Sequence, residues 1–170
     1  MKLVKRFQQA GQVPTRTQTV RRSREKGSAI LEAAFVFLPL LALFFALMDY
    51  SVAMFVQNTL RNAVREGVRF AISQQTGAGG QDLAVKNIVK NNSMGFLVDN
   101  TRTSITYYDP TLTVVNGTGS NAAGNICLVS VTGFPWSWFA PLGRSATALS
   151  FTANSSDVME APPNGVLPSR

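Results

Sequence analysis

Apolar positions are most concentrated between Ser28 and Met48, where only Glu32 is charged and Pro39 interrupts the run. About 20 consecutive apolar residues, at about 1.5 Å per residue, cross the roughly 30 Å hydrocarbon core of a bilayer. Residues 28–48 are therefore predicted to form a transmembrane helix. Pro39 frees one backbone carbonyl and is expected to kink this helix, which a membrane or a packed bundle tolerates.

The helical period continues beyond the apolar run and becomes amphipathic. The predicted inward positions are Ala53, Val56, Leu60, Ala63, Val64, Gly67 and Ala71, and the predicted outward positions are Asn58, Arg61, Asn62, Arg65, Glu66 and Arg69. One helix is expected from about 28 to about 74, with its second half, 49–74, packed on something outside the membrane. Gly67 costs about 1 kcal/mol relative to alanine inside a helix, so a β-sheet or a neighbouring helix is expected to approach it closely.

The rest of the chain predicts a small α+β domain over 81–160. The glycine-rich segment 77–80 ends the long helix, and 81–92 reads as a short second helix with Leu83, Ala84, Ile88 and Val89 inward. The period then switches to that of β-strands over 104–108, 112–115, 126–132 and 146–153. Turn residues predict a strand end at Asp109-Pro110 and a hairpin loop at 116–119. Residues 161–170 contain three prolines and are expected to form a flexible tail.

Charge is distributed unevenly, although the chain as a whole carries +7. Residues 1–27 hold eight basic side chains and one acid, whereas the remainder is balanced. This basic leader, which we expect to be disordered, lies wholly before the apolar run. The positive-inside rule therefore predicts a cytoplasmic N-terminus and an extracytoplasmic C-terminal domain. Because the excess charge belongs to the leader, no nucleic acid is expected as a partner.

The residue inventory argues against an enzyme. The chain has no histidine, which removes histidine bases and most zinc sites. Asp99, Asp109 and Asp157 are scattered near turns without the paired spacing of acid–base catalysts. Cys127 lies in an apolar run and is expected to be a small buried side chain. No catalytic, metal or cofactor site is predicted.

An apolar segment near an N-terminus can be a cleaved signal, a plain signal anchor or a pilin-type anchor. A cleaved signal fits poorly, because the run is long and is followed by Leu47-Met48-Asp49-Tyr50 rather than by small residues. A plain anchor explains the length and the orientation but not Glu32. A carboxylate inside a membrane segment is costly and indicates a function, although Glu32, one turn in, could also reach the headgroups.

The sequence from Lys26 to Glu32 resembles the prepilin peptidase site of the type IV filament superfamily. The resemblance implies cleavage after Gly27, which makes Ser28 the first residue of the mature chain and Glu32 the fifth. It also implies that the new amine of Ser28 pairs with the glutamate of a neighbouring subunit, which offsets two charges in an apolar filament core.

A second stretch narrows the resemblance. The helix 57–71 and the pair Asp49-Tyr50 are similar to the TadE-like minor pilins (pseudopilins) of Tad (tight adherence) type IVb pili. The core of the helix motif is Arg65, Glu66, Gly67, Arg69, Phe70 and Ala71. This family implies a pilin-like α+β fold, in which a long N-terminal helix precedes a short helix and a small antiparallel β-sheet.

The family also implies a location and a set of partners. The chain is expected as a single-pass protein of the bacterial inner membrane that enters a pilus for adhesion or secretion. Its expected partners are a prepilin peptidase, other Tad pilus subunits, the inner-membrane assembly platform and the lipid bilayer. The alternative is an uncleaved signal anchor that holds a β-rich binding or scaffold domain outside the cytoplasm.

Two exposed features have two interpretations each. The stripe Arg61, Arg65 and Arg69 could dock on an acidic surface or on lipid headgroups, or it could be a solvated helix face. The aromatic segment 134–141, expected as a loop between two strands, could anchor in a membrane interface or a partner, or it could cover the core.

Overall fold

The computed structural model describes the backbone of residues 19–138 and 149–170, and the side chains of 27–138 and 149–170. The elements are α1 (Thr19–Ile72), α2 (Gln81–Asn92), β1 (Thr103–Tyr108), β2 (Val114–Val115), β3 (Ile126–Trp136) and β4 (Leu149–Val158). They form two compact units, Met1–Phe44 and Phe45–Arg170. A long helix, a short helix and a four-stranded antiparallel sheet confirm the predicted α+β, pilin-like fold class.

Helix α1 begins at Thr19, earlier than the predicted start near residue 28. The expectation of disorder over the whole leader is therefore wrong for 19–27, while residues 1–18 lie outside the described part. The sequence between Thr19 and Gly27 contains no proline, and its arginine, lysine and glutamate residues are good helix formers. The helix includes Pro39 and ends at Ile72, just before Gln74 adopts a left-handed φ of 56°.

The second half of α1 presents the predicted face to the core. All seven predicted inward residues are buried, and all six predicted outward residues are exposed. Helix α2 has the predicted bounds, but Leu83 is exposed and Ile88 is half-buried. The buried positions of α2 are Gln81, Ala84, Val85 and Val89. Because Gln81 occupies the first inward position, the buried face follows 81, 85 and 89, and Leu83 points away from it.

The sheet has the order β2-β1-β3-β4, and every neighbouring pair is antiparallel. β1 and β2 form a hairpin across Asp109–Thr113, where the Asp109 amide donates to the Thr113 carbonyl over 2.9 Å. The prediction of a hairpin at 116–119 is wrong, because β1 lies between β2 and β3. Residues 116–125 instead carry the chain from one edge of the hairpin past β1 to β3.

The predicted aromatic loop begins later than expected, because β3 continues to Trp136. The register shifts between Val131 and Phe134, where Gly133 has a φ of 67°, as in a β-bulge. Beyond this irregularity Phe134 pairs with Phe151 and Trp136 pairs with Leu149. Strand β4 extends to Val158, five residues further than predicted. Residues 139–148, which include the predicted start of this strand and the end of the aromatic segment, lie outside the described part.

The core of unit Phe45–Arg170 lies between α1, α2 and the sheet. Its fully buried side chains include Val56, Leu60 and Val64 of α1, and Cys127, Val129 and Val131 of β3. Cys127 is thus the buried apolar residue that the sequence predicts. Gln57 ties α1 to the outer strand, because its Nε2 donates to the Thr152 carbonyl over 3.0 Å.

Candidate functional site

The predicted processing residues, Gly27 and Ser28, lie on α1 together with Glu32, and all three are exposed. Ser28 and Glu32 are four residues apart and so share one helix face. A Cβ atom at Gly27 would meet nothing within 4 Å. Packing therefore gives no reason for a glycine at this helical position, where glycine costs about 1 kcal/mol relative to alanine.

The apolar stretch of α1 passes the physical tests for a membrane span. The helix is long enough, and its most apolar window has a mean hydropathy of 2.5 with no residue buried inside the protein. Large apolar side chains such as Phe35, Leu38 and Leu43 are more than half exposed. One long apolar N-terminal helix with this exposure suggests membrane anchoring. Pro39 lies inside the helix; the predicted kink stays a prediction.

The acidic-aromatic pair at the end of this stretch is split between two environments. Asp49 is only 4% exposed, whereas the neighbouring Tyr50 is 60% exposed. The carboxylate therefore belongs to the interior of unit Phe45–Arg170, and the tyrosine lies on its surface.

The residues of the predicted helix motif lie on two faces of α1. Arg65, Glu66 and Arg69 are exposed, whereas Gly67 and Ala71 are buried and Phe70 is half-buried. A Cβ atom at Gly67 would stand 2.4 Å from Val89 Cγ2 and 3.5 Å from Val85 Cγ1. The predicted close approach is thus made by side chains of α2. The motif combines a docking seam for α2 with a charged outer surface.

The outer surface carries the basic stripe, Arg61, Arg65 and Arg69. Glu66 lies 3.9 Å from Arg69 in an i,i+3 pair. Both side chains are well exposed, so the pair adds little stability. Arg61 and Arg65 make no ion pair with the residues that the structure describes, and these two charges remain available to a partner or to lipid headgroups.

Part of the aromatic segment covers the core, which is one of the two interpretations given for it above. Trp136 is 8% exposed, and its ring stacks on Phe151 at a centroid distance of 6.2 Å. Trp138, two residues on, is half-buried. Trp136 therefore stabilises the end of the sheet rather than presenting a free surface.

A buried amide cluster was not predicted from the sequence. Gln74 donates to the carbonyls of Asn121 and Glu160 over 2.8 and 2.9 Å. Asn121 in turn donates to Gln81 Oε1 over 2.7 Å, and Gln81 donates to the Ala71 carbonyl over 2.9 Å. These amides join the end of α1, the start of α2 and the loop before β3. The sequence offered one signal for this cluster: Gln81 is the first residue of an amphipathic helix and occupies an inward position.

The last residues contact the same corner. The backbone carbonyl of Ser169 accepts a hydrogen bond from the backbone amide of Gln81 over 2.7 Å. Arg170 donates to Asp82 Oδ2 through Nε and Nη2 at 3.1 and 2.9 Å. The guanidinium also stacks over the Tyr107 ring at 4.5 Å. A Cβ atom at Gly80, whose φ is 93°, would lie 2.6 Å from the Arg170 carbonyl carbon. The predicted mobility of 161–170 stays a prediction, but 168–170 have defined contacts.

The scattered carboxylates serve local turns. Asp99 accepts hydrogen bonds from the Thr101 amide and hydroxyl, and Asp109 accepts from Thr111 and Thr113. Asp157 accepts from the Val158 amide. Across 27–138 and 149–170, no three metal-ligating side chains gather at one place.

Comparison with known proteins agrees with this geometry. Residues 27–69 match the family model of TadE-like proteins. This region of the chain is TadE-like. Searches of curated proteins and of solved structures gave no significant match. A TadE-like region is consistent with a component of a Tad pilus.

The TadE-like region begins at Gly27 and ends at Arg69. It contains Ser28, Glu32, Pro39, Asp49 and the motif up to Arg69, and it lies entirely on α1. The sheet and α2 lie outside the matched region. The family resemblance therefore concerns the anchor and the docking seam, and it does not extend to the β-rich domain.

Proposed function

We propose that the chain is the precursor of a minor pilin, or pseudopilin, that takes part in assembling a Tad-type pilus after cleavage by a prepilin peptidase. The observation that carries the proposal is the arrangement on a single helix. A TadE-like region opens at the glycine of a Gly27-to-Glu32 processing pattern and continues through the apolar span into the docking seam at Gly67.

Cleavage after Gly27 would change the protein in two ways. It would remove eight basic residues and one acid from the cytoplasmic side, which leaves a nearly neutral chain. Positive charge on that side resists extraction from the membrane, so its loss would permit transfer into a filament. Cleavage would also create a cationic amine on Ser28.

Glu32 would then pair with the Ser28 amine of a neighbouring subunit. Glu32 is exposed and makes no hydrogen bond or ion pair with the residues that the structure describes. An unpaired carboxylate at the start of an apolar span is costly in lipid, and a cationic partner in the filament would offset that cost. The exposed arginines of the basic stripe would provide a further contact with acidic surface on other subunits or on the assembly platform.

Mass spectrometry of the membrane-associated protein, expressed with and without the peptidase, tests the processing. The expected product with the peptidase starts at Ser28, and a Gly27→Leu variant should remain uncut. An Ala46→Leu variant is the matched control, because it adds similar apolar bulk at an exposed position of the same helix, well after the predicted cleavage site, and should be cut normally. An intact Met1 in the presence of the active peptidase would defeat the processing step.

Pilus assembly tests the role of Glu32. Glu32→Ala and Glu32→Gln should both be inserted and cleaved but should assemble poorly, since each removes the negative charge. Glu66→Ala removes an exposed carboxylate of the same helix and should assemble more normally than either. Normal piliation with both Glu32 variants would refute the pairing role.

The alternative, an uncleaved signal anchor bearing a binding or scaffold domain, is favoured by one observation. Unit Phe45–Arg170 has its own closed core and an antiparallel sheet, as an independent extracytoplasmic module would. The same mass spectrum separates the two functions, because an anchor of this kind keeps Met1 under all conditions.

A further inference from the structure

Unit Phe45–Arg170 has two ends, which the strand register defines. Gln57 meets Thr152 near the start of β4, whereas the Ile72 carbonyl meets the Glu160 amide just beyond its last residue. The start of β4 pairs with the end of β3, and Thr103 of β1 pairs with Val131. The Gln57 end of the sheet is therefore the end nearer Phe45, where α1 enters this unit, and the β1–β2 turn lies at the opposite end.

Apolar side chains form a surface patch at the Gln57 end of this unit. Phe96 contacts both Phe55 and Phe134, each edge-on with ring centroids 6.3 Å apart. Phe55 is 52% exposed, and the turn after α2 adds Met94 and Val98, which are 70% and 82% exposed. We call these five residues, Phe55, Met94, Phe96, Val98 and Phe134, the interfacial patch.

The backbone of that turn holds an apolar side chain outward at a cost. Met94 has a φ of 54°, a left-handed conformation that is uncommon for residues other than glycine, asparagine and aspartate. The turn is nevertheless fixed, because Ser93 Oγ accepts the Leu97 amide over 3.1 Å and Leu97 is buried. Met94 and Val98 are thus displayed on either side of a buried residue.

The distribution of charge indicates what covers the interfacial patch. From Ala33 to Leu60 the only charged residue is Asp49, and the fold buries it. These 28 residues rise about 42 Å as a helix, which matches the roughly 40–45 Å of a bilayer with its headgroups. If this stretch spans the bilayer with its headgroups, Glu32 and Arg61 lie at the two membrane surfaces. Phe55 lies six residues, or about 9 Å, before Arg61, and so near the boundary between the headgroups and the hydrocarbon.

The charged groups beside the interfacial patch suit a phospholipid surface. Asp99, which follows Val98 in the chain, interacts electrostatically with Arg102 and Lys90. The Asp99 carboxylate already accepts two hydrogen bonds from Thr101, and Arg102 donates to the Gly133 carbonyl beside Phe134. The surroundings therefore carry a net positive charge, which favours anionic headgroups, while aromatic rings favour the membrane–water interface.

We propose that the interfacial patch inserts into the headgroup region of the bilayer and forms a second membrane contact in addition to the span of α1. This inference rests on the membrane anchoring within the proposed function, but not on cleavage or on pilus assembly. The domain of the unassembled protein then lies against the membrane, and leaving the bilayer requires release of both contacts.

Spin labels placed on the full chain in vesicles of phosphatidylethanolamine and phosphatidylglycerol test the proposal. Single cysteines at Val98, Leu112 and Leu43 are introduced into a Cys127→Ala background. Leu112 is the matched control, because it is apolar and 71% exposed but lies in the β1–β2 turn at the opposite end. The ratio of oxygen to nickel-complex accessibility reports the depth of each label in lipid.

The expected ratio at Val98 is several-fold above that at Leu112 and below that at Leu43. A label at Met94 should repeat the Val98 value. If the accessibility ratio at Val98 is that of a label in water while the ratio at Leu43 is that of a label deep in lipid, the second contact is overturned and the anchor remains. Shielding of Val98 from both oxygen and nickel would indicate a protein partner or a second copy, and would also overturn it. An aqueous Leu43 would overturn the anchor itself.

Discussion

Gly67 of α1 faces Val89 of α2 so closely that a Cβ atom at position 67 would lie 2.4 Å from Val89 Cγ2. The valine is β-branched and stiff about χ1 in a helix, and it is fully buried. It cannot rotate away without disturbing Val85 or Val129, which also line the contact. The glycine of the TadE-like motif thus sets the distance between the two helices.

Gly67→Ala should destabilise the domain in spite of its better helix propensity. Overpacking costs about 1–3 kcal/mol, against a propensity gain of about 1 kcal/mol, so a loss of up to about 2 kcal/mol is expected. Thermal unfolding of the full chain in detergent, followed by circular dichroism, measures it. In a Val89→Ala background the same substitution should stabilise. Equal effects in both backgrounds would contradict the contact.

The Asp82–Arg170 pair should hold the last residues against α2. Both side chains are about a quarter exposed, and Arg170→Ala is expected to cost about 1 kcal/mol. The amide of Gln81, bonded to the Ser169 carbonyl, should then exchange its hydrogen about fivefold faster. Lys86→Ala, on the same helix, is the control. High salt should reproduce part of the effect of Arg170→Ala, because it screens the ion pair. An unchanged exchange rate of the Gln81 amide in the Arg170→Ala variant would refute this role of the ion pair.

The domain should be labile to alkali. Burial raises the pKa of the Cys127 thiol from 9.0 to about 12, and burial followed by the nearby Cys127 raises the pKa of Tyr107 as well. A raised folded-state pKa means that the unfolded chain loses its proton first. The stability is therefore complete below about pH 9 and is lost as the pH rises toward 12.

Unfolding midpoints measured between pH 8 and 11 check this dependence. Cys127→Ala should flatten the fall without abolishing it, because Tyr107 remains. Native protein should react with a thiol reagent at pH 8 far more slowly than protein in urea. Equal labelling rates in the two states would contradict the buried thiol.

The β1–β2 turn should loosen in acid. Hydrogen bonds from the Thr111 hydroxyl and from the Thr113 and Thr111 amides hold the pKa of Asp109 below its ordinary value. A depressed pKa stabilises the turn above about pH 4, and this contribution is lost as the pH falls through the folded-state value. Amide chemical shifts of Thr111 and Thr113 should follow this titration. Asp109→Asn should remove the pH dependence, and Asp157→Asn, the control, should leave it unchanged.

The helices were predicted well because the spacing of apolar residues that indicates a helix lies within a few consecutive turns of the chain. Ala53 to Ala71 repeat at helical spacing, and the glycines at 77–80 limit both helices. The strand order was not accessible, since the pairing of Thr103 with Val131 depends on contacts far apart in sequence. The inward prediction for Leu83 was wrong because hydrophobicity alone does not show that the polar Gln81 is buried and hydrogen-bonded to the Ala71 carbonyl. Trp136 was placed in a loop because aromatic density and proline masked a bulged strand.

The hydrogen bond between Gln57 and Thr152 joins residues 95 positions apart. During translation, α1 is therefore synthesised long before β4 is available to complete the sheet. During that interval the face from Ala53 to Ala71 has only α2, and then a partial sheet, to cover it. The growing chain would therefore need a chaperone, or the membrane surface itself, to shelter this face until the last strand is translated.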